Sequence, residues 1–321
     1  MERRKMVVVL SQLSEGHRAR IRAAAEERGF EVSFFETPEE SRPALQEAEI
    51  VLGQSPQLAE WSPKLRWLCT PSAGVDHLLR EGLFASPEAA LTNSSGAYGV
   101  TIAEHTVMML LSLFRQRLAY DEIVARREWR RDLPVRSIRD GRFLLAGTGD
   151  IGREVALRLK AFGPRSVIGV NRSGRSPGDV FDRVAPISEW ESLLPRADAV
   201  ILALPGTPET FHLLDARRLA LLPEGAAVVN VGRGSAVDQA ALERELRAGR
   251  LCAALDVFEQ EPLPRDHSLW TCPNLLITPH VAGNMTLPYT VDRIVELFLE
   301  DFENYCAGRP LCRRVDLKRG Y

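Results

Sequence analysis

Cysteine is scarce in this sequence: five in 321 residues, at positions 69, 252, 272, 306 and 312, with no CxxC spacing and no flanking histidine. That leaves neither a disulfide framework nor a zinc site of ordinary spacing, and it fits a reducing compartment. Long apolar runs are missing too. The most apolar stretch, VMMLLSLF at 107–114, falls far short of the ~20 residues that span a bilayer. The amino terminus, MERRKMVVVL, begins with basic residues, but its short apolar run leads directly into SQLSEGHR. It lacks the longer apolar core and small-residue cleavage site of a secretory signal, and reads as a first strand. Nor is one sign of charge in excess: 41 Lys and Arg against 43 Asp and Glu leave a formal net charge of −2. Nucleic acid and anionic membrane therefore have no electrostatic case as partners. A soluble, cytoplasmic protein that binds a small molecule and no metal is expected.

What is present is length and apolar content. At 321 residues and 45% hydrophobic residues the chain exceeds one ordinary core and can fill two. Residues 1–100 alternate short β-rich runs (MVVVL, EVSFFE, IVLG, LRWLCT, ALTN) with helical patterns, one near Glu15 to Arg28 and one from Val75. A long helical pattern then runs from Thr101 to Trp129, apolar in its first half and charged in its second, which suits a bridge between domains. From Gly141 six further apolar strands follow with helices between them: RFLLAG, SVIGVN, AVILAL, AAVVNV, CAALDV and LLITPH. Short apolar strands separated by helices indicate parallel sheets covered on both faces. The expected fold is α/β, with two Rossmann-like, doubly wound domains. The dinucleotide-binding domain takes residues 101–285 and the long helix, and a flavodoxin-like substrate domain takes 1–100 with 286–321. The last amphipathic helix is expected to return to the first domain.

The stretch GTGDIG places Gly147, Gly149 and Gly152 as G-x-G-x-x-G, after the strand RFLLAG and before the helix REVALRLKAFG. This is the βαβ setting that a dinucleotide fingerprint requires. Gly147 permits a tight turn, Gly149 admits the pyrophosphate and Gly152 allows close helix packing, with the amides of Asp150 and Ile151 aimed at phosphate. About twenty residues on, an NAD site carries a carboxylate for the ribose hydroxyls. Here Asn171 stands in VNRSGR, followed by Arg172, Ser173 and Arg175. Guanidinium groups bind phosphate bidentately, and Asn and Ser donate hydrogen bonds without adding negative charge, so NADP is the expected cofactor, with NAD possible. A solvated loop whose arginines face water is the alternative.

Three further stretches lie at strand ends, where doubly wound sheets bind ligands: VNVGRGSAVD, LDVFEQEPLP and ITPHVAG. Together with GTGDIG and the earlier PSAGVDHLL, they resemble the D-isomer-specific 2-hydroxyacid dehydrogenases over nearly the whole chain. The resemblance implies Arg233, Glu261 and His280 as catalytic groups. His280 can give a proton to a carbonyl oxygen as hydride reaches its carbon. Glu261 can orient the imidazole and favour its protonated form. Arg233 can hold the carboxylate of a 2-oxo acid and polarise its carbonyl. By the same resemblance Asp256 accepts from the nicotinamide carboxamide, Leu204, Pro205, Thr210 and Val231 complete the cofactor site, and the amides of Ala73, Gly74 and Val75 meet the substrate carboxylate. Gly74 admits close approach there, and a helix start after it favours an anion. Tyr98 and Gln54 are candidates to line the substrate pocket, with a purely structural role the alternative, and the favoured one, for Tyr98. His105 matches the family pattern and reads as packing, whereas His17, His212 and His267 fall in polar segments expected to be exposed. Gly232 stands where many relatives carry Ala. The resemblance implies a homodimer formed through 101–129 and a reductase of small 2-oxo acids such as glyoxylate, hydroxypyruvate or a longer keto acid, with the Asn171 loop as the reason to expect NADPH. An NAD-dependent dehydrogenase is the alternative, and a nucleotide-sensing module like the related corepressors is the alternative of another class.

Overall fold

In the computed structural model, which describes residues 3–176, 178–317 and 319–320, the chain divides after Tyr98 and again after Gly283 into two compact units. The first unit carries β1 (Arg4–Val9), α1 (Glu15–Glu27), β2 (Phe30–Phe35), α2 (Pro38–Leu45), β3 (Ala48–Leu52), α3 (Gln57–Glu60), β4 (Trp67–Cys69) and β5 (Ala90–Thr92). All pairings are parallel, in the order β2-β1-β3-β4-β5, which is the flavodoxin-like arrangement. The strands read as continuous apolar runs because both faces are covered: Met6, Val7, Val8 and Val9 are all buried. The C-terminal helix, Pro288–Cys306, also belongs to this unit. Trp67 stacks on its Phe298 and Tyr305, with centroids 5.3 and 5.5 Å apart.

Local chemistry sets these boundaries. Ser14 accepts from the His17 amide, and the His17 ring returns to the Ser14 amide, a capping box that starts α1. His17 is buried and its Nε2 lies 2.7 Å from Asp292, so the exposed position expected for it is corrected. Thr37 and Glu40 form a second box at α2, where Pro38 fits the first turn because its missing N–H has no partner there anyway. The helix expected from Val75 is only a three-residue 3-10 turn, Asp76–Leu78, without a side-chain cap.

The second unit comprises α4 (Gly99–Phe114), α5 (Arg117–Ala125), β6 (Arg142–Ala146), α6 (Asp150–Lys160), β7 (Ser166–Asn171), β8 (Arg183–Pro186), α7 (Trp190–Leu193), β9 (Ala199–Leu202), α8 (Ala216–Leu221), β10 (Ala227–Asn230), α9 (Gln239–Arg247), β11 (Cys252–Leu255) and β12 (Leu275–Ile277). Its parallel sheet runs β12-β11-β10-β9-β6-β7-β8, so the order reverses between β6 and β9, the crevice where dinucleotides bind in such sheets. The fold is thus two Rossmann-like α/β units. One expected element is corrected: the pattern from Thr101 to Trp129 is two helices. Gln116 adopts a left-handed conformation (φ 57°) between them, and the Phe114 carbonyl accepts from the Arg136 amide at 2.8 Å. The apolar half packs as α4, with Met109 and Leu110 fully buried, while the charged half is mostly exposed. Between β7 and β9 the chain adds the edge strand β8, and only the short α7 fills the place expected for a full helix. Among the described residues no helix is long and apolar enough to cross a membrane. The five thiols are free, and burial pushes that of Cys69 up to about 12.

Candidate active site

The turn after β6 uses its three glycines for three different reasons. Gly147 has φ 100°, and a Cβ there would lie 2.4 Å from the Ala203 carbonyl oxygen of the neighbouring strand end. A Cβ on Gly152 would lie 2.0 Å from the Gly147 oxygen, so α6 sits directly on the turn that precedes it. Gly149, by contrast, faces open space and caps α6 without any side-chain hydrogen bond. The first N–H groups of a helix have no partner within it, and their positive end of the macrodipole attracts anions. A side-chain-free, uncapped helix start at the sheet's switch point fits a dinucleotide pyrophosphate.

Beyond β7, Asn171 takes the place of the expected acid, and its side chain is committed within the loop. Its Nδ2 donates to Thr148 Oγ1 and to the Arg175 carbonyl, both at 2.8 Å, while Oδ1 accepts from the amides of Ser173 (3.1 Å) and Gly174 (2.7 Å). All of its donors and its acceptor are in use. Asn171 is therefore the frame of the loop, and the exposed Arg172 and Ser173 are the groups displayed on it. The facing loop after β9 is folded by Thr210, whose hydroxyl donates to the Pro205 carbonyl at 2.7 Å and accepts from the Thr207 amide at 2.9 Å. Leu204 is half-buried beside it and Val231 is buried, its amide bonded to the Leu202 carbonyl at 3.0 Å.

Arg233 follows β10 in a loop built by Asn230, a buried residue singled out by no sequence motif reading. Asn230 Oδ1 accepts from the Gly232 amide (3.1 Å) and Nδ2 donates to the Arg233 carbonyl (2.9 Å). Gly232 has a local reason as well: a Cβ would lie 2.6 Å from the Leu204 backbone nitrogen. The loops after β11 and β12 bring Asp256, Glu261 and His280 together. His280 Nδ1 lies 2.6 Å from Glu261 Oε2, and the other carboxylate oxygen accepts from the Phe258 amide at 2.9 Å. Half of the His280 side chain remains exposed, which leaves Nε2 open to a reacting partner.

His280 holds a left-handed backbone (φ 53°), which costs a non-glycine residue of the order of 1 kcal/mol and needs surrounding restraint. Asp256 supplies that restraint. Its carbonyl accepts from the His280 amide at 2.8 Å; Oδ1 accepts from Thr278 Oγ1 (2.6 Å) and the Val281 amide (2.9 Å), and Oδ2 from the Ala282 amide (3.0 Å). The side chain is 1% exposed. These bonds give the Asp256 carboxylate a positional part in its own loop. Thr278, missed in the sequence, is also 3.0 Å from His105 Nε2, so His105 packs against this support.

In the first unit, the turn 71–75 is pinned by polar side chains. Ser72 Oγ donates to the Gly74 carbonyl (2.8 Å) and Asn93 Nδ2 to the Ala73 carbonyl (2.8 Å). No amide of Ala73, Gly74 or Val75 donates to another described residue. Such a row of outward amides suits an anion, although the helix start expected after it is the 3-10 turn described above. Tyr98 is buried and its hydroxyl donates to the Pro71 carbonyl at 2.7 Å; burial pushes its pKa up to about 12. That bond makes Tyr98 a support of the turn, the structural role open to it alongside the substrate pocket. Gln54 lines a pocket of about 200 Å³ at the ends of β1 and β3 with Ser11, Gln12 and Met285, and its carbonyl oxygen contacts His77 Nε2 at 2.9 Å.

A switch-point glycine turn and a paired imidazole and carboxylate at neighbouring strand ends define a nicotinamide-linked oxidoreductase. The particular family follows from comparison. Residues 107–282 match the family model described as D-isomer specific 2-hydroxyacid dehydrogenase, NAD binding domain. The chain is 34% identical over 289 residues to glyoxylate/hydroxypyruvate reductase B of Citrobacter koseri, covering 85% of this chain and 88% of that protein. Among solved structures, a D-isomer specific 2-hydroxyacid dehydrogenase family protein from Aeromonas salmonicida aligns with TM-score 0.86 and 34% identity over 98% of this chain and 100% of that one. An NADPH-dependent glyoxylate/hydroxypyruvate reductase from Sinorhizobium meliloti, in complex with NADP and sulfate, aligns with TM-score 0.82 and 28% identity over 99% and 100%. The chain belongs to the D-isomer-specific 2-hydroxyacid dehydrogenase family. It is an NAD(P)-dependent oxidoreductase acting on the CH–OH group of 2-hydroxy acids.

Proposed function

We propose that the protein reduces small 2-oxo acids, glyoxylate and hydroxypyruvate first among them and longer keto acids in the same class, with NADPH in preference to NADH. The observation that carries the reading is the 2.6 Å contact of His280 Nδ1 with Glu261, which leaves the opposite ring nitrogen as the proton donor. The dinucleotide, when bound, supplies the hydride. His280 Nε2 gives the proton to the substrate carbonyl oxygen as that oxygen gains charge. Glu261, anchored by the Phe258 amide, fixes the ring and stabilises its charged form while the proton is held. Arg233 grips the substrate carboxylate with its planar fork and polarises the adjacent carbonyl. In the first unit, the amides of Ala73, Gly74 and Val75 are proposed to receive a substrate carboxylate. Gly147 to Gly152 hold the pyrophosphate, with Asp150 and Ile151 donating backbone amides. Leu204, Pro205, Thr210 and Val231 flank the dinucleotide.

The loop framed by Asn171 supports the NADPH preference, since it offers Arg172 and Ser173 without a carboxylate to repel a 2′-phosphate. A second reading has one observation behind it. Glu209 is held below its usual carboxylate range by its own amide, by Thr207 and by the Arg172 guanidinium, so Arg172 already senses an anion within the protein. Under that reading the enzyme uses NAD. The exposed apolar Met108, Val124 and Trp129 support the proposal that the chain forms a homodimer through this segment, which sedimentation would check. The chemistry is tested by His280→Gln: kcat for glyoxylate reduction should fall at least about 100-fold with dinucleotide affinity unchanged. A fall below about threefold would remove His280 from the mechanism.

A further inference from the structure

Two residues before Glu261, a carboxylate unused by the mechanism joins the turn after β11 to the start of α9 and to the loop after β9. Glu259 Oε1 accepts from the amide of Gln239, the first residue of α9, at 3.1 Å, and lies 3.0 Å from His212 Nε2 in the loop after β9. In return the Glu259 amide donates to Gln239 Oε1 at 2.9 Å. The pairing is thus reciprocal: backbone to side chain in both directions. His212 is tied in separately, its amide donating to the Ser235 carbonyl at 2.8 Å in the loop that carries Arg233.

That loop is also pressed against the same turn. A Cβ on Gly234 would lie 1.8 Å from the carbonyl carbon of Phe258 and 2.4 Å from the nitrogen of Glu259, so the two backbones touch where only glycine fits. The segment from Phe258 to Glu261 begins at a buried residue and ends at the carboxylate that meets His280. Phe258 itself donates its amide to Glu261, so any shift of residues 258–259 moves the anchor of the catalytic carboxylate. Glu259 cannot reach the reacting atoms through these bonds; it can only set where Glu261 stands.

Resting on the dehydrogenase reading above, we propose that Glu259, clasped to Gln239 and His212, is a positioning residue that holds the 258–261 turn so that Glu261 meets His280. The clasp explains why an exposed glutamate makes three hydrogen bonds to two residues, one at the start of α9 and one in the loop after β9. It also makes a sharp demand, since the effect of losing Glu259 must run through Glu261.

The test uses the full-length protein with Glu259→Ala, Gln239→Ala, Glu261→Ala and the double variant Glu259→Ala/Glu261→Ala. Amide hydrogen exchange across 256–263 is read on the resting protein, where it needs no substrate. Release of the clasp should speed exchange of this segment about tenfold or more in either single clasp variant, with the rest of the sheet unchanged. In steady state Glu259→Ala should lower kcat about 10- to 100-fold with dinucleotide KM unchanged, and Glu259→Gln, which keeps an acceptor, should recover most of it. On the Glu261→Ala background the same change should cost less than about twofold, because neighbours acting as a unit are not additive. Unchanged exchange in both clasp variants, or full additivity in the cycle, overturns the proposal. Failure of the unaltered protein to reduce any 2-oxo acid refutes the dehydrogenase reading instead, and the exchange result still decides the clasp.

Discussion

Replacing Asp256 by Asn tests whether the site is built from its support outward. The change removes one formal charge and turns one acceptor into a donor in a side chain that is 1% exposed. The favourable placement keeps the oxygen toward Thr278 and Val281 and leaves the new NH₂ facing the Ala282 amide, 3.0 Å from the carboxylate oxygen it now meets. A buried amide deprived of its acceptor costs about 1–3 kcal/mol. The remaining two bonds lose their charge assistance, which is worth roughly another 1 kcal/mol between them. Relief from burying a carboxylate offsets part of this, giving a net loss of about 2–3 kcal/mol. For a unit of this size the melting temperature should fall by roughly 4–12 °C, read by calorimetry. Because three successive amides, 280 to 282, converge on Asp256, the left-handed His280 loses its restraint as well. Glyoxylate turnover in the surviving folded protein should drop about 10- to 100-fold. A melting point within about 1 °C of the unaltered protein, together with turnover within twofold, would refute this reasoning.

Gly232→Ala places a methyl group 2.6 Å from the Leu204 nitrogen, so the dinucleotide KM should rise about threefold or more while the chain stays folded, as overpacking costs of about 1–3 kcal/mol predict. An unchanged KM would mean the 204–210 loop yields freely. Tyr98→Phe deletes the bond to the Pro71 carbonyl, so stability should fall by about 1 kcal/mol and the KM for 2-oxo acid should rise with dinucleotide KM constant. The pH dependence has a definite sign. The Tyr98 phenol is raised from 10 to about 12 by burial, so its contribution is complete below about pH 10 and is lost as pH climbs toward 12. Unfolding free energies that differ between the two proteins by the same amount at pH 9 and pH 11.5 would contradict that assignment.

Residue types at strand ends carried most of the site in the sequence. Arg233, Glu261 and His280 were legible because each follows an apolar strand in a motif of fixed order, and the structure brings Glu261 and His280 into contact. The glycine turn was legible for the same reason. Side-chain employment was harder to read. Asn171 looked like a phosphate ligand, yet all its hydrogen-bonding groups close the loop, a decision made by backbone geometry that a one-dimensional pattern does not contain. Asp256, Thr278, Asn230 and Glu259 gave no separable signal as supports, because their partners are backbone amides and neighbouring loops. Periodicity also overran its limits. Apolar spacing continued through Gln116, where a left-handed residue splits the helix, and it suggested a helix after Val75 where only one turn forms. The buried His17 was missed because its partner, Asp292, lies 275 positions away.

The central claim is NADPH-linked reduction of a 2-oxo acid, and it is tested most directly by kcat/KM for glyoxylate and hydroxypyruvate with NADPH and with NADH, beside the Arg172→Ala variant. A pair of charge-assisted bonds to a 2′-phosphate, worth about 1.5–3 kcal/mol, predicts an NADPH advantage of roughly 10- to 150-fold that collapses in the variant. Equal or faster turnover with NADH, unaltered by the substitution, would contradict the account.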